Sequence, residues 1–291
     1  MSNKDLLHRF IFDDCDIRGE IVSLEQSYQD VLANNAYPDF VQQLLGELLT
    51  AAALLSSTLK FDGIMTLQAK GDGPIGLMMA ECTHHNALRG IVRLAENAEF
   101  KDGAHSLADL MGQGVLTITL DPTQGERYQG VVPLEADTLA ECLEHYFYQS
   151  EQLKTRLWLA ADSGRTGGLL LQALPRQLAE TDEVNEDQWY TAVALSETVK
   201  REELLRVEHS ELLFRLFHEL SVRLFDPAYL EFSCRCSRQR SEDALKSLGR
   251  DEVESLLVEQ GAITIDCQFC NQVYSFSTAD VRAMFGQDTL H

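Results

Sequence analysis

Cysteine thiolates bind borderline-soft metal ions and are readily oxidised, so closely spaced cysteines are the residues here best suited to chemistry. Two close pairs stand toward the C-terminal end of the sequence, Cys234-Arg-Cys236 and Cys267-Gln-Phe-Cys270. A structural zinc site takes four tetrahedral ligands, often as two such pairs, and these four thiolates are expected to hold one Zn2+. The CxxC half has the common spacing. The CxC half is rarer, but one intervening residue still lets both sulfurs face one ion if the backbone turns. Unrelated core cysteines seldom fall in two tight pairs, so metal-free burial is the weaker alternative. A purely structural zinc ribbon whose thiols never react is the stronger one.

The unit that carries these pairs is small. From residue 232 onward roughly 60 residues remain, a size at which an apolar core supplies only about 3–5 kcal/mol. Zinc contributes an apparent ~10–16 kcal/mol to folding a finger-sized domain, so loss of the metal is expected to unfold this one. A tetrathiolate site is also a potential redox trigger. A Cys267–Cys270 disulfide would remove two ligands at once, and a disulfide within the CxC pair would close a strained ring.

Short elements are expected to position the cysteines. Ser241 can cap a helix that Gly249 ends, and Asp251 with Glu254 resembles a capping box for a second helix that Gly261 ends. Two strand-like runs, Ala262 to Asp266 and Val273 to Phe276, flank the CxxC pair. Upstream, between Trp189 and Phe225, the chain is strongly amphipathic. Leu204, Leu205, Leu212, Leu213, Leu216, Phe217 and Leu220 form a helical stripe flanked by Glu and Arg, and such a stripe needs a partner surface. An ordinary core helix and a binding surface for unfolded chains are both consistent with it.

The acidic stretch from Glu180, after Pro175, marks a boundary. Before it, strand candidates (Gly19 to Leu24, Gly63 to Ala69, Leu88 to Ala95, Val115 to Leu120, Gly130 to Val132) mix with two helices, Pro38 to Leu59 and Thr138 to Leu153. The expected fold class is α+β: a large N-terminal mixed α/β-sheet domain (residues 1–178), a helical amphipathic linker (179–231) and a small C-terminal zinc-binding domain (232–291).

Composition narrows the function classes. The 291-residue chain is 45% hydrophobic and carries a formal charge of −22, so its average surface repels phosphate backbones and no nucleic-acid partner is expected. No run approaches the ~20 apolar residues of a membrane span, and the first residues carry no small-residue cleavage site. A cytoplasmic protein with no membrane partner is expected. Seven cysteines without a secretory signal fit a reducing compartment.

Other motifs carry less. Gly71-Asp-Gly73-Pro-Ile-Gly76 matches GxGxxG, with Glu96 at a suggestive distance, but Pro74 and the β-like Leu77 to Ala80 favour a hairpin over a phosphate-binding helix. Ser163-Gly-Arg-Thr-Gly-Gly168 lacks the lysine of a P-loop and reads as a turn. Cys82, His84 and His85 could ligate a metal, but adjacent histidines point apart on a strand, and solvated loop residues are the plainer reading. Cys15, Cys82 and Cys142 read as small buried hydrophobes. His218-Glu219 lacks the second histidine of a zincin.

The sequence as a whole resembles the heat-shock protein 33 family of redox-regulated holdase chaperones. The likeness runs through Ile17-Arg-Gly-Glu-Ile-Val, Tyr37-Pro, Leu44-Leu-Gly-Glu-Leu-Leu, Leu59-Lys-Phe-Asp-Gly, Gly71-Asp-Gly-Pro, Gly125-Glu-Arg-Tyr-Gln-Gly and Glu144-His-Tyr-Phe-Tyr-Gln-Ser-Glu-Gln. Its most specific part is the end, where Arg223-Leu-Phe-Asp-Pro precedes Cys234-Arg-Cys236-Ser-Arg and Cys267-Gln-Phe-Cys270-Asn.

The resemblance implies that the four cysteines are zinc ligands and that the reduced, zinc-bound protein is inactive. On oxidative stress Cys267 would pair with Cys270 and Cys234 with Cys236, zinc would leave, and the linker would expose apolar surface to unfolding client proteins. It further implies a homodimer when oxidised, transfer of clients to ATP-dependent foldases, and no catalysis. The rival class is an enzyme, a thiol-disulfide oxidoreductase using Cys267 and Cys270, which would place its CxxC at a helix N-terminus.

Overall fold

The apolar positions Val41, Leu44, Leu45, Leu48, Leu49, Ala52 and Leu55 recur at helical spacing, and in the computed structural model the helix they imply runs from Asp39 to Thr58. Pro38 is its N-cap, with its carbonyl accepting from the Gln42 amide. Residues 4–103 and 105–285 are described. Residues 1–3 of the segment scanned for a cleavage site lie outside that range. The chain divides into two units, Met1–Ser233 and Cys234–His291.

The first unit opens with β1 (Leu6–Phe12), β2 (Ile17–Leu24), α1 (Gln26–Leu32) and α2 (Asp39–Thr58), then β3 (Gly63–Gly71), β4 (Ile75–Thr83) and β5 (Ala87–Leu94). There follow α3 (Leu107–Met111), β6 (Gly114–Pro122), β7 (Tyr128–Pro133), α4 (Leu139–Gln149), β8 (Thr155–Ala161) and β9 (Thr166–Ala173). It closes with α5 (Asp182–Ser196), α6 (Arg201–Arg206), α7 (His209–Phe217), β10 (Val222–Leu224), β11 (Ala228–Tyr229) and β12 (Glu231–Phe232). The fold is α+β.

Two six-stranded sheets organise this unit. One runs β10-β1-β2-β9-β8 with β11 beside β1, the other β12-β5-β4-β3-β6-β7. Pairing is antiparallel throughout, except that β12 adds in parallel to β5. Helix α2 lies between the sheets and packs on strands of both, which explains why its buried set also includes Gly46, Ala51, Ala53 and Leu54 from its other flanks. By length and composition α2 could cross a membrane, but here its apolar surface is the centre of the main core.

The five strand candidates fall on β2, β3, β5, β6 and β7. Helix α4 begins at a capping box in which Thr138 and Glu141 exchange side-chain and backbone bonds, but ends at Gln149 rather than Leu153. Gly71 to Gly76 links β3 to the antiparallel β4, so no helix follows the glycines to hold a pyrophosphate. Adjacent His84 and His85 do not point apart. They lie in the turn after β4 with ring centroids 3.7 Å apart, and His84 is engaged by Asp62 and the Gly63 backbone.

The segment 179–231 falls within the first unit. The face of the first sheet opposite α2 presents Phe10, Phe12, Ile17, Ile21, Leu169 and Leu171, and α5, α6 and α7 cover it with Trp189, Leu204, Leu205, Leu212, Leu213, Leu216 and Phe217. Strand β9 is thus buried on both faces, with Leu170 turned to α2. The stripe is not one continuous helix. It breaks at Val207 and Glu208, and after Leu220 the chain becomes strand β10 beside β1. A Cβ on Gly167 would sit 2.5 Å from the Leu204 carbonyl oxygen, so α6 can approach β9 only over a glycine.

The second unit contains α8 (Arg238–Leu248), α9 (Arg250–Gln260), β13 (Ile263–Asp266), β14 (Val273–Phe276) and α10 (Thr278–Phe285). Both helix starts differ from expectation. Ser237, not Ser241, caps α8, accepting from the Arg240 amide, because the helix begins four residues sooner and Ser241 sits inside it, bonded back to the Ser237 carbonyl. Helix α9 starts at Arg250 without a side-chain cap, and Glu254 pairs with Arg250 at 2.9 Å instead of closing a box with Asp251. Gly249 and Gly261 flank α9 with positive φ. Among the described residues the buried apolar core of this unit is Leu245, Val253, Ile263, Phe276 and Val281.

Candidate metal centre

The two cysteine pairs sit on different kinds of backbone. Cys234 and Cys236 lie on the extended segment that runs into Ser237, the cap of α8, and the Arg240 guanidinium holds that segment by donating to the Arg235 carbonyl. Cys267 and Cys270 lie in the turn between β13 and β14. There the Cys267 amide donates to Gln272, the Cys270 and Asn271 amides donate back to the Cys267 carbonyl, and Asn271 takes a positive φ to close the turn. The β13–β14 ladder fixes the two ends of that turn.

This brings the four sulfurs together. All lie within 4.8 Å of one another, with Cys234 to Cys267 at 3.5 Å and Cys236 to Cys270 at 3.4 Å. A tetrahedral ion with Zn–S bonds of ~2.3 Å sets its sulfurs about 3.8 Å apart, so the cluster has nearly the size of a Zn2+ coordination shell. All four are half-buried. Burial and the neighbouring sulfurs push the Cys270 thiol up to about 12, against the pull of the Gln272 backbone. The donor set therefore fits a thiophilic divalent ion.

The Gln272 backbone reaches Cys270, and a side chain reaches the cluster as well. The Tyr274 hydroxyl on β14 lies 3.2 Å from Cys236 Sγ, and that contact, with burial, moves the phenol up to about 12. Spacing did not single out Tyr274, although it stands four residues after Cys270. The CxxC pair occupies a strand–turn–strand rather than the helix N-terminus of a disulfide oxidoreductase. The isolated Cys15, Cys82 and Cys142 are buried in the first unit, and burial pushes Cys82 up to about 12.

The stripe residues lie in the first unit. Leu204, Leu205, Leu212, Leu213, Leu216 and Phe217 are buried against the first sheet and Leu220 is partly buried. Polar bonds missed at the sequence level fasten this segment along its length. The buried Asp16 carboxylate accepts from the Gln177, Leu178 and Ala179 amides. His209 bonds Ser23 and His8, and Arg223 pairs with Asp13 at 2.6 Å. His218 is exposed beside Glu219.

Comparison with known proteins places this arrangement in a lineage. A family model described as Hsp33 protein matches residues 5–277. The 33 kDa chaperonin of Pseudomonas paraeruginosa is 51% identical over 286 residues, covering 98% of this chain and 96% of that protein. The 33 kDa chaperonin of Azotobacter vinelandii is 50% identical with the same coverage, 98% and 96%. The crystal structure of the 33 kDa chaperonin from Thermotoga maritima superposes with a TM-score of 0.82 at 25% identity, over 96% of this chain and 97% of that one.

Proposed function

The chain belongs to the Hsp33 family and is a chaperone, and from that premise we propose that it is an ATP-independent holdase switched by oxidation of Cys234, Cys236, Cys267 and Cys270. The observation that carries this reading is the convergence of those four sulfurs in a unit whose buried apolar core, among the described residues, is five side chains. In the reduced protein the four thiolates hold Zn2+, which supplies the cross-link that so small a core lacks.

Oxidation withdraws the ligands in pairs. The Cys267 and Cys270 thiolates each give up one electron to a two-electron oxidant such as hydrogen peroxide, which takes two protons from solvent and leaves as two waters while the S–S bond forms and the two ligands are lost to the ion. Cys234 and Cys236 react likewise with a second equivalent. With its ligands consumed the second unit unfolds, and strand β12, which ends two residues before Cys234, loses the folded unit that follows it. The covered stripe of Leu204, Leu205, Leu212, Leu213, Leu216, Phe217 and Leu220 then leaves the first sheet and meets unfolding proteins. The oxidised chain acts as a homodimer in the cytoplasm under oxidative stress and passes clients to ATP-dependent foldases when the thiols are restored.

The test compares reduced, zinc-loaded protein with oxidised, zinc-free protein on a heat-denatured client followed by light scattering. Only the oxidised form is expected to suppress aggregation, and equal activity in both forms overturns the switch.

A further inference from the structure

We infer that Tyr274 is a positioning residue of the metal centre, its hydroxyl donating a hydrogen bond to the Cys236 thiolate. The inference rests on the reading of the four cysteines as a metal site. Once Cys236 is a metal-bound thiolate its sulfur has no proton to give, so the 3.2 Å contact has one polarity: the phenol donates and the sulfur accepts. The ring is held in place to do so. Tyr274 pairs with Ile265 across the β13–β14 ladder, and its body packs against the Phe276 and Ile263 core. The reach of the hydroxyl is therefore set by the sheet and not by a flexible side chain.

A tetrathiolate shell around a divalent ion carries two net negative charges, and each donor aimed at a sulfur draws charge away from it. Cys236 receives this donor from a side-chain hydroxyl, while the Gln272 backbone serves Cys270. The Tyr274 hydroxyl makes the Cys236 sulfur less electron-rich and less nucleophilic than it would be without that donor, and its bond to the ion is oriented by a second group. Partners of this kind commonly change metal affinity by about 10–100-fold when removed.

The test uses full-length reduced protein with Co2+ as a spectroscopic probe and the Tyr274→Phe variant, which keeps the ring and deletes only the O–H. In wild type a tetrahedral tetrathiolate spectrum is expected. In the variant the sulfur-to-cobalt charge-transfer band moves to longer wavelength, Zn2+ is lost to a competing chelator at about 10-fold lower chelator concentration, and N-ethylmaleimide labels Cys236 faster relative to the other three cysteines. A superimposable band with unchanged chelator competition overturns the role of Tyr274, as does equal acceleration of all four thiols, which reports loosened packing instead. Absence of the tetrathiolate spectrum from wild type overturns the metal reading itself.

Discussion

The Nδ1 atom of His8 on β1 lies 2.8 Å from the Nδ1 atom of His209, the first residue of α7, although 201 residues separate them. The other nitrogen of His209 meets the Ser23 hydroxyl on β2 at 2.8 Å. One proton serves the nitrogen–nitrogen contact, whichever ring carries it, so the two imidazoles cannot both be charged without placing two N–H groups face to face. His209 is 1% exposed. The segment that the proposed function requires to leave the sheet is thus fastened at the head of α7 by a pair of neutral histidines.

A pH dependence follows. Burial, with the neighbouring His8, lowers His209 to about 3, and burial also lowers His8, against the pull of Glu208. Unfolded, both titrate near 6.5, so between that value and the folded one the released segment binds more protons than the docked one. Docking is at full strength above pH 6.5 and weakens as pH falls, by about 2 kcal/mol at pH 5 for His209 alone. Hydrogen exchange across α6 and α7 at pH 7.5 and pH 5 measures this. Protection is expected to drop at pH 5 in wild type and to change less in His209→Asn. Equal slopes in the two proteins sink the assignment.

Gly167 offers a second handle on the same interface. Its absent Cβ would lie 2.5 Å from the Leu204 carbonyl oxygen and 3.2 Å from that of Val22, both backbone atoms that cannot swing aside. Gly167→Ala is expected to lift α6 from β9 at a cost of about 1–3 kcal/mol, the range of an overpacked core position. Gly76→Ala is the control, because the nearest atom to its Cβ is 3.8 Å away. Faster exchange over residues 200–217 in the first variant and none in the second is the expected result; unchanged protection in Gly167→Ala removes the steric argument.

What could be read from the residues beforehand was local. Helical spacing located α2 because its apolar positions repeat every three or four residues, and the cysteine pairs declared themselves by spacing alone. Strand β9 offered no alternation, since both of its faces are buried, so Leu169, Leu170 and Leu171 read only as an apolar run before Pro175. Strands β10 to β12 are two or three residues long and exist through partners far away in the chain, Phe10 for Leu224 and Leu88 for Phe232. The caps missed for a simpler reason. Ser237 and Ser241 are both good N-caps, and the first wins because helix α8 can start there and still bury Ser241 and Leu245.

Removing the metal is the remaining lever, and it separates the two units. The second has Leu245, Val253, Ile263, Phe276 and Val281 as its buried apolar core, whereas the first is built around α2 and two sheets. A core of that size supplies only about 3–5 kcal/mol, against an apparent ~10–16 kcal/mol from four thiolates on Zn2+. Chelation under reducing conditions, or Cys267→Ser with Cys270→Ser, is therefore expected to abolish hydrogen-exchange protection in β13, β14 and α9 while leaving α2 protected. Zinc content near one per chain should fall in parallel. Retained protection in the second unit without metal shows that the small core suffices by itself, and a switch worked by ligand loss would then have nothing to unfold.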